Sequence, residues 1–126
     1  MIREMRRKER QMSAGDAIAV LKNAQFGTLS MTDESNIPYG IPISFAYDEN
    51  AIYLHCALEG TKLDVISHNN NVCFSAVTDV EAIPEKFTTK FKSSVVFGKI
   101  SIINDHEEKK RGFIAILKKY SPAFYD

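Results

Sequence analysis

The feature that most constrains the fold is a series of short strand-like segments separated by residues that favour turns. "GTLSM" at 27–31 and "YGIPISFAY" at 39–47 flank the turn-rich "TDESNIP", and only "DEN" separates the second segment from "AIYLHCA" at 51–57. Connections this short predict antiparallel hairpins. Pro42 has no amide hydrogen for a strand ladder, so its segment is predicted to form a sheet edge or to contain a bulge.

Two more strands and three helices are predicted in the rest of the chain. The strands are "NVCFSAV" at 71–77 and "FKSSVVFGKISII" at 91–103, bent at Gly98, with "TDVEAIPEKFTTK" at 78–90 as a long loop between them. The helices are "AGDAIAVLKNA" after Ser13, "TKLDVISHN", and a last helix capped by Asn104 with Glu107 at the capping-box position. Ser121 and Pro122, in "KKYSP", are predicted to end this last helix. We therefore predict a mainly β fold, a small antiparallel barrel with peripheral helices.

Length and composition narrow the class of protein. The 126 residues are predicted to form one domain, 1–126, with the charged run "MIREMRRKER" opening an N-terminal arm over 1–12. The formal net charge is zero, which argues against nucleic acid and anionic membranes as partners. Neither a signal peptide nor an apolar run of about 20 residues is seen. We expect a cytoplasmic protein in which Cys56 and Cys73 are reduced thiols.

The histidines and cysteines do not form a convincing metal or nucleophile site. His55 and Cys56 are adjacent in a predicted strand, so their side chains point to opposite faces and cannot share one ion or one reaction. Cys73 has no partner at a C-x-x-C spacing and is typical of a small buried residue. His68 and His106 match no zinc pattern.

The stretch Gly60, Thr61 and Lys62 is a candidate phosphate site. It lies where a strand gives way to a helix, and the first turn of a helix exposes unpaired N–H groups and a partial positive charge. A capped helix carrying a surface lysine explains the same residues, so spacing alone leaves both interpretations open. "FTTKFKSS" at 87–94 is either a hydrated loop or a second polar wall for an anionic ligand.

Five stretches in order make the chain resemble a known family. It resembles the FMN-binding split barrels related to pyridoxamine 5'-phosphate oxidase, and more narrowly their nitroimidazole-resistance branch. The resembling stretches are "MRRKER" at 5–10, "FGTLSMTDESNIPYGIPISFAY" at 26–47, "IYLHCALEGTKLDVISHNNNVCFSA" at 52–76, "PEKFTTKFKSSVVFGK" at 84–99 and "KKYSP" at 118–122.

The resemblance implies a six-stranded antiparallel split β-barrel that forms a two-fold homodimer, with FMN in a groove at the dimer interface. It assigns Pro42, Ile43 and Ser44 to the strand that runs along the flavin ring and offers backbone contacts. His55 and Cys56 match the strand end near the ring and the ribityl chain. Family members usually continue past "KYSP" to a final strand, so we expect this chain to lack that strand.

The resemblance also assigns the polar groups of the cofactor site. Thr61 and Lys62 match the positions that hold the FMN phosphate, which favours the phosphate interpretation of that turn. Ser93 matches a polar position that faces the flavin, and Lys90 and Lys92 are weaker candidates. The arginine and histidine motif of pyridoxal-forming enzymes is missing near the C-terminus, so that activity is not expected.

Three functions follow from these assignments as alternatives. The first is an FMN-dependent reductase that passes electrons to a small acceptor such as a nitroaromatic, with His55 as the proton donor. The second is a non-catalytic module that binds flavin or haem, with His55 or His68 as a haem ligand. The third is a dimer that binds no cofactor.

Overall fold

In the computed structural model, residues 14–55 and 61–124 are described, and they form three helices and six strands. The helices are α1 (Ala14–Asn23), α2 (Thr61–His68) and α3 (His106–Tyr120). The strands are β1 (Gly27–Thr32), β2 (Pro38–Ile43), β3 (Phe45–Asp48), β4 (Ala51–Leu54), β5 (Asn71–Ile83) and β6 (Thr88–Lys99). None of the helices in these two ranges is long and apolar enough to cross a membrane. The single domain, the arm over 1–12 and the cytoplasmic location stay predictions.

The strands form two antiparallel sheets, as the hairpin spacing predicts. The larger sheet has the order β2-β1-β5-β6, and the small sheet pairs β3 with β4. Pro42 lies in β2, an edge strand of the larger sheet, which confirms the interpretation of that proline.

The prediction of one continuous strand at 39–47 is wrong. Ser44 separates β2, which pairs with β1, from β3, which pairs with β4. Apolar residues occupy every second position from 39 to 47, which predicts one strand. The chain nevertheless changes partner here, and a partner is a long-range property that local sequence does not encode.

One face of the larger sheet, the inner face, forms the core. Leu29, Phe74 and Ala76 alternate inward along β1 and β5, and each is at most 3% exposed. The inner face packs against α1, because the hydroxyl of buried Ser94 donates to the Ala17 carbonyl over 2.6 Å. The small sheet joins the same core through Phe45, which is fully buried and meets the Phe74 ring edge-on at 4.7 Å.

The long loop predicted at 78–90 is instead a hairpin arm, which we define as residues 79–91. β5 continues to Ile83, a short 3-10 turn spans Pro84–Lys86, and β6 resumes at Thr88. The strand register shifts between Thr78 and Glu81, so the local irregularity is a bulge and the strand continues through it. Asp79, Pro84 and the lysines are typical of loops in sequence, but a bulge and a tight turn accommodate them within paired strands.

The ends of α3 differ slightly from the prediction. The N-terminal cap is Asp105 rather than Asn104, and its carboxylate accepts a hydrogen bond from the Glu108 amide at 2.9 Å. The helix therefore begins one residue later, with Glu108 rather than Glu107 three residues beyond the cap. The stop at Ser121, before Pro122, is confirmed. The preceding strand is shorter than predicted and ends at Lys99.

Candidate functional site

The face of the larger sheet that points away from α1, the outer face, combines small polar side chains with an exposed apolar stripe. Alternation and register place these residues on it: Thr28, Ser30, Gly40, Pro42, Cys73, Ser75, Val77, Phe91, Ser93, Val95 and Phe97. Its stripe of large apolar side chains follows β6 and the adjoining part of β5. Val77 is 46% exposed, Phe91 59%, Val95 56% and Phe97 52%.

Ser93 lies within this apolar stripe. It is half-buried, stands opposite Val77, and has Phe91 and Val95 as its neighbours on the same face. Pro42 is exposed on the same face but on β2, three strand spacings and roughly 15 Å away. Both residues can contact one flat ligand that lies across the sheet, but they do not contact each other.

Ile43 and Ser44 occupy the point where the chain leaves the larger sheet. The Ile43 side chain is 8% exposed and belongs to the core, so only its main chain is available to a ligand. Ser44 is half-buried between β2 and β3. The β3–β4 register pairs Phe45 with Leu54, and one further step along it places Ser44 beside the exposed His55. The structure therefore brings Ser44 and His55 to the same end of the small sheet.

The predicted phosphate turn is described only in part. α2 begins at Thr61, which confirms a helix start where the sequence predicts one, and Lys62 is in its first turn. The side chains of these two residues, and all of Cys56 and Gly60, lie outside the described part of the chain. The helix is anchored in the core by Val65, which is 6% exposed.

The weaker cofactor candidates, Lys90, Lys92 and His68, lie apart from Pro42, Ser44, His55 and Ser93. Lys90 and Lys92 alternate with Ser93 along β6, so they lie on the opposite side of the strand. Lys92 forms an exposed ion pair with Asp79, 3.9 Å between Nζ and Oδ2. His68 pairs with Glu34 on the surface at 3.5 Å. Within 14–55 and 61–124, no three His, Cys, Asp or Glu side chains come close enough to hold a metal ion.

Sequence reasoning missed the end of α3, which contacts the strand leading away from Ser44. The Tyr120 hydroxyl accepts a hydrogen bond from the Phe45 amide at 3.0 Å and donates one to the Gln25 carbonyl. The ammonium of Lys119 lies 3.6 Å from the centre of the Phe45 ring. Burial lowers the pKa of Lys119 to about 8. A tyrosine in the last turn of an amphipathic helix was the available signal, but "KKYSP" indicated only where the helix ends.

Comparison with known proteins identifies the family. The sequence pattern described as pyridoxamine 5'-phosphate oxidase matches residues 13–126. The chain belongs to the pyridoxamine 5'-phosphate oxidase family. Its arrangement of a four-stranded and a two-stranded antiparallel sheet with outlying helices is the split-barrel fold of that family. No curated protein matches.

Several solved structures share this fold. A candidate 5-nitroimidazole antibiotic resistance protein from Bacteroides thetaiotaomicron superposes with a TM-score of 0.77 at 26% identity, covering 88% of this chain and 68% of that one. A FAD-binding protein from Mesorhizobium loti gives 0.69 at 21%, covering 91% and 80%. A haem-binding protein from Mycobacterium smegmatis gives 0.69 at 17%, covering 91% and 46%.

Proposed function

We propose that this protein is an FMN-dependent reductase of small acceptors such as nitroaromatics, and that it works as a homodimer with FMN at the dimer interface. Membership in the pyridoxamine 5'-phosphate oxidase family supports flavin binding, and the 26%-identical relative supports the nitroaromatic class of acceptor. FMN, the dimer and the reductase activity are our proposals.

The outer face is the observation that carries this proposal. Its β1, β2 and adjoining β5 positions are small, among them Ser30, Gly40 and Ser75, and they make a flat floor for a planar ring. The stripe of Val95 and Phe97 borders that floor and remains about half exposed, which is unusual for rings and branched side chains on one sheet face. A second copy of the chain covers such a stripe and closes a groove over the floor.

Individual residues supply the polar contacts in this arrangement. The main chain of Pro42, Ile43 and Ser44 provides hydrogen-bonding groups along one edge of the ring, since β2 is an edge strand of the larger sheet and a sheet edge presents unpaired main-chain groups. Ser93 offers a hydroxyl from within the apolar stripe. The first turn of α2, with Thr61 and Lys62, provides the positive end of a helix for the phosphate.

When bound, FMN would supply the electron-transfer chemistry. The residues of the chain would bind the cofactor, orient it and protonate the reduced product. His55 is exposed beside Ser44, where an acceptor can approach it from solvent. An imidazole can both bind and release a proton, so His55 is suited to deliver a proton to a reduced product. The covered outer face excludes water from the ring, which limits loss of electrons to solvent species.

Titration of purified protein with FMN, followed by the quenching of flavin fluorescence, tests the proposal. We expect saturable binding, weakened at least tenfold by Lys62→Ala and unchanged by Lys110→Ala, an exposed lysine of α3. Measured at an FMN concentration that saturates each protein, reduction of a nitroaromatic should be slower in His55→Ala than in wild type. A Soret band, or indifference to FMN, would instead support the haem module or the dimer without a cofactor.

A further inference from the structure

The position of Tyr120 coincides with the place where the β1–β2 ladder stops. β1 and β2 pair Gly27 with Ile43, and the same register two residues further on would place Gln25 opposite Phe45. The ladder does not include that pair, because β2 ends at Ile43 and the chain turns into β3. In an antiparallel ladder, an amide and a carbonyl at such positions bond to each other directly.

The Tyr120 hydroxyl takes the place of that direct bond. It accepts the Phe45 N–H at 3.0 Å and donates to the Gln25 carbonyl, so one side chain satisfies both groups across the gap. A hydroxyl can do this because it is both a donor and an acceptor. Without it, the part-buried Phe45 amide has no partner across the gap, and an amide left unpaired away from water is costly.

The side chain of Lys119, the neighbour of Tyr120, also helps to hold Phe45 of β3 in place. Lys119 places its ammonium over the ring of Phe45, and that ring is fully buried against Phe74. The backbone of Phe45 is therefore held by Tyr120 and its ring by Lys119 and the core. Ser44 immediately precedes this anchored residue, and His55 lies beside Ser44.

We propose that Tyr120 is a positioning residue for the candidate site: its hydroxyl holds the split between β1 and β3 open and thereby sets the placement of Ser44 and His55. This inference rests on the proposed function where it concerns FMN. It extends that function by assigning a role to the end of α3, which contributes none of the predicted cofactor contacts.

Tyr120→Phe tests the proposal, because it removes only the hydroxyl and keeps the ring. Tyr47→Phe is the matched control, since the Tyr47 hydroxyl bonds the Asn50 side chain at 3.0 Å on the surface, near the β3–β4 turn. In protein without cofactor, we expect Tyr120→Phe to accelerate hydrogen exchange of the Phe45 amide at least tenfold. We also expect it to shift the backbone resonances of Ser44 and His55, and the control should do neither.

The FMN titration then distinguishes a positioning role of Tyr120 from a general contribution of its hydroxyl to the stability of the fold. Tyr120→Phe should weaken FMN binding at least tenfold under conditions where its circular dichroism spectrum is that of the folded protein, and Tyr47→Phe should not. Unmoved Ser44 and His55 resonances, or an unchanged FMN affinity, would overturn the positioning role. If wild-type protein ignores FMN, the proposed function fails, while the resonances of Ser44 and His55 still decide this inference. If Tyr120→Phe does not fold, rapid exchange of the Phe45 amide in wild-type protein would overturn it, and protection would support it.

Discussion

The absence of a side chain at Gly27 leaves room for the Phe74 ring to pack in the core. A β-carbon at this position would lie 2.0 Å from the tip of the Phe74 ring, which is 3% exposed and held against Phe45. Since the ring has no free space to move into, we expect Gly27→Ala to lower the free energy of unfolding by about 1–3 kcal/mol. Gly98→Ala is the control, because no atom of the described part of the chain lies within 4 Å of a β-carbon there. Urea unfolding of both variants measures the difference, and equal losses would contradict the steric cause.

Lys119 makes stability depend on pH in the alkaline range. Burial lowers its pKa to about 8 from the ordinary 10.5, and its ammonium has no hydrogen-bond partner among residues 14–55 and 61–124. Below about pH 8 both the folded and the unfolded chain carry the charge, so the folded state bears the full cost of enclosing it. Between pH 8 and 10.5 the unfolded chain binds more protons at this side chain. The free energy of unfolding is therefore expected to rise with pH in that window.

Lys119→Met tests this pH dependence. We expect the variant to lose the rise, and to be more stable than wild type by about 1 kcal/mol near neutral pH, after allowing for screening and for the lost contact with the Phe45 ring. Urea unfolding from about pH 7 to about pH 9.5 avoids ionisation of Tyr53, whose pKa is raised above 10.0 chiefly by burial. Lys110→Met, on the exposed side of α3, should keep the wild-type profile. A rise that persists in Lys119→Met would exclude this lysine as its source.

At the scale of elements, the turn of the hairpin arm contains a residue in an unfavourable backbone conformation. Phe87 has a φ of 50°, in the left-handed region, and its side chain is 98% exposed. Its amide closes the 3-10 turn by bonding the Pro84 carbonyl at 3.2 Å. A bulky residue pays for this conformation and gains no burial within this chain, so Phe87→Gly should raise the free energy of unfolding by about 1 kcal/mol.

Phe87→Ala is the control for that change, because it removes the ring but keeps a β-carbon in the same conformation. We expect its unfolding midpoint in urea to stay near that of wild type. If Phe87→Gly and Phe87→Ala both destabilise the protein instead, we infer that the ring contacts another copy of the chain in solution. The arm would then belong to the assembled surface.

The elements that local sequence predicts well are those with a strong local cause. The turn at Asp33, whose carboxylate accepts the amides of Ser35 and Ile37, follows from a residue type that bonds its own backbone. The helix start at Thr61 and the stop at Ser121 have similar local causes. These signals sufficed to predict the order of strands and helices, apart from the break at Ser44.

The elements that sequence predicts poorly depend on distant partners. The break at Ser44 exists because β2 and β3 pair with different strands, and the hydroxyl that satisfies the gap comes from Tyr120, 75 residues further along from Phe45. The sequence also did not show which face of the larger sheet is exposed, because alternation predicts two faces without indicating which one is covered. The site residues Pro42, Ser93 and His55 were therefore assigned by family resemblance, and their joint role stays a prediction.

At the scale of the whole molecule, the exposed apolar stripe on the outer face predicts that the protein is a dimer. We expect wild-type protein to show about twice its chain mass of 14.2 kDa by light scattering. Burying Phe97 on both copies contributes roughly 4 kcal/mol, so Phe97→Lys should weaken dimerisation by about three powers of ten. Phe113→Lys is the control, since Phe113 is 59% exposed on α3 and Phe97 is 52% exposed.

FMN binding connects that assembly to the proposed function. If the groove needs both copies, Phe97→Lys should reduce FMN affinity together with the dimer, and dilution of the wild-type protein should do the same, because mass action removes half of each site. Phe113→Lys should retain both the dimer and the affinity. A monomer that binds FMN with wild-type affinity would show that one outer face suffices, and the apolar stripe would then need a different occupant. A Phe97→Lys protein that remains dimeric would place the interface on another surface and remove the argument for a shared groove.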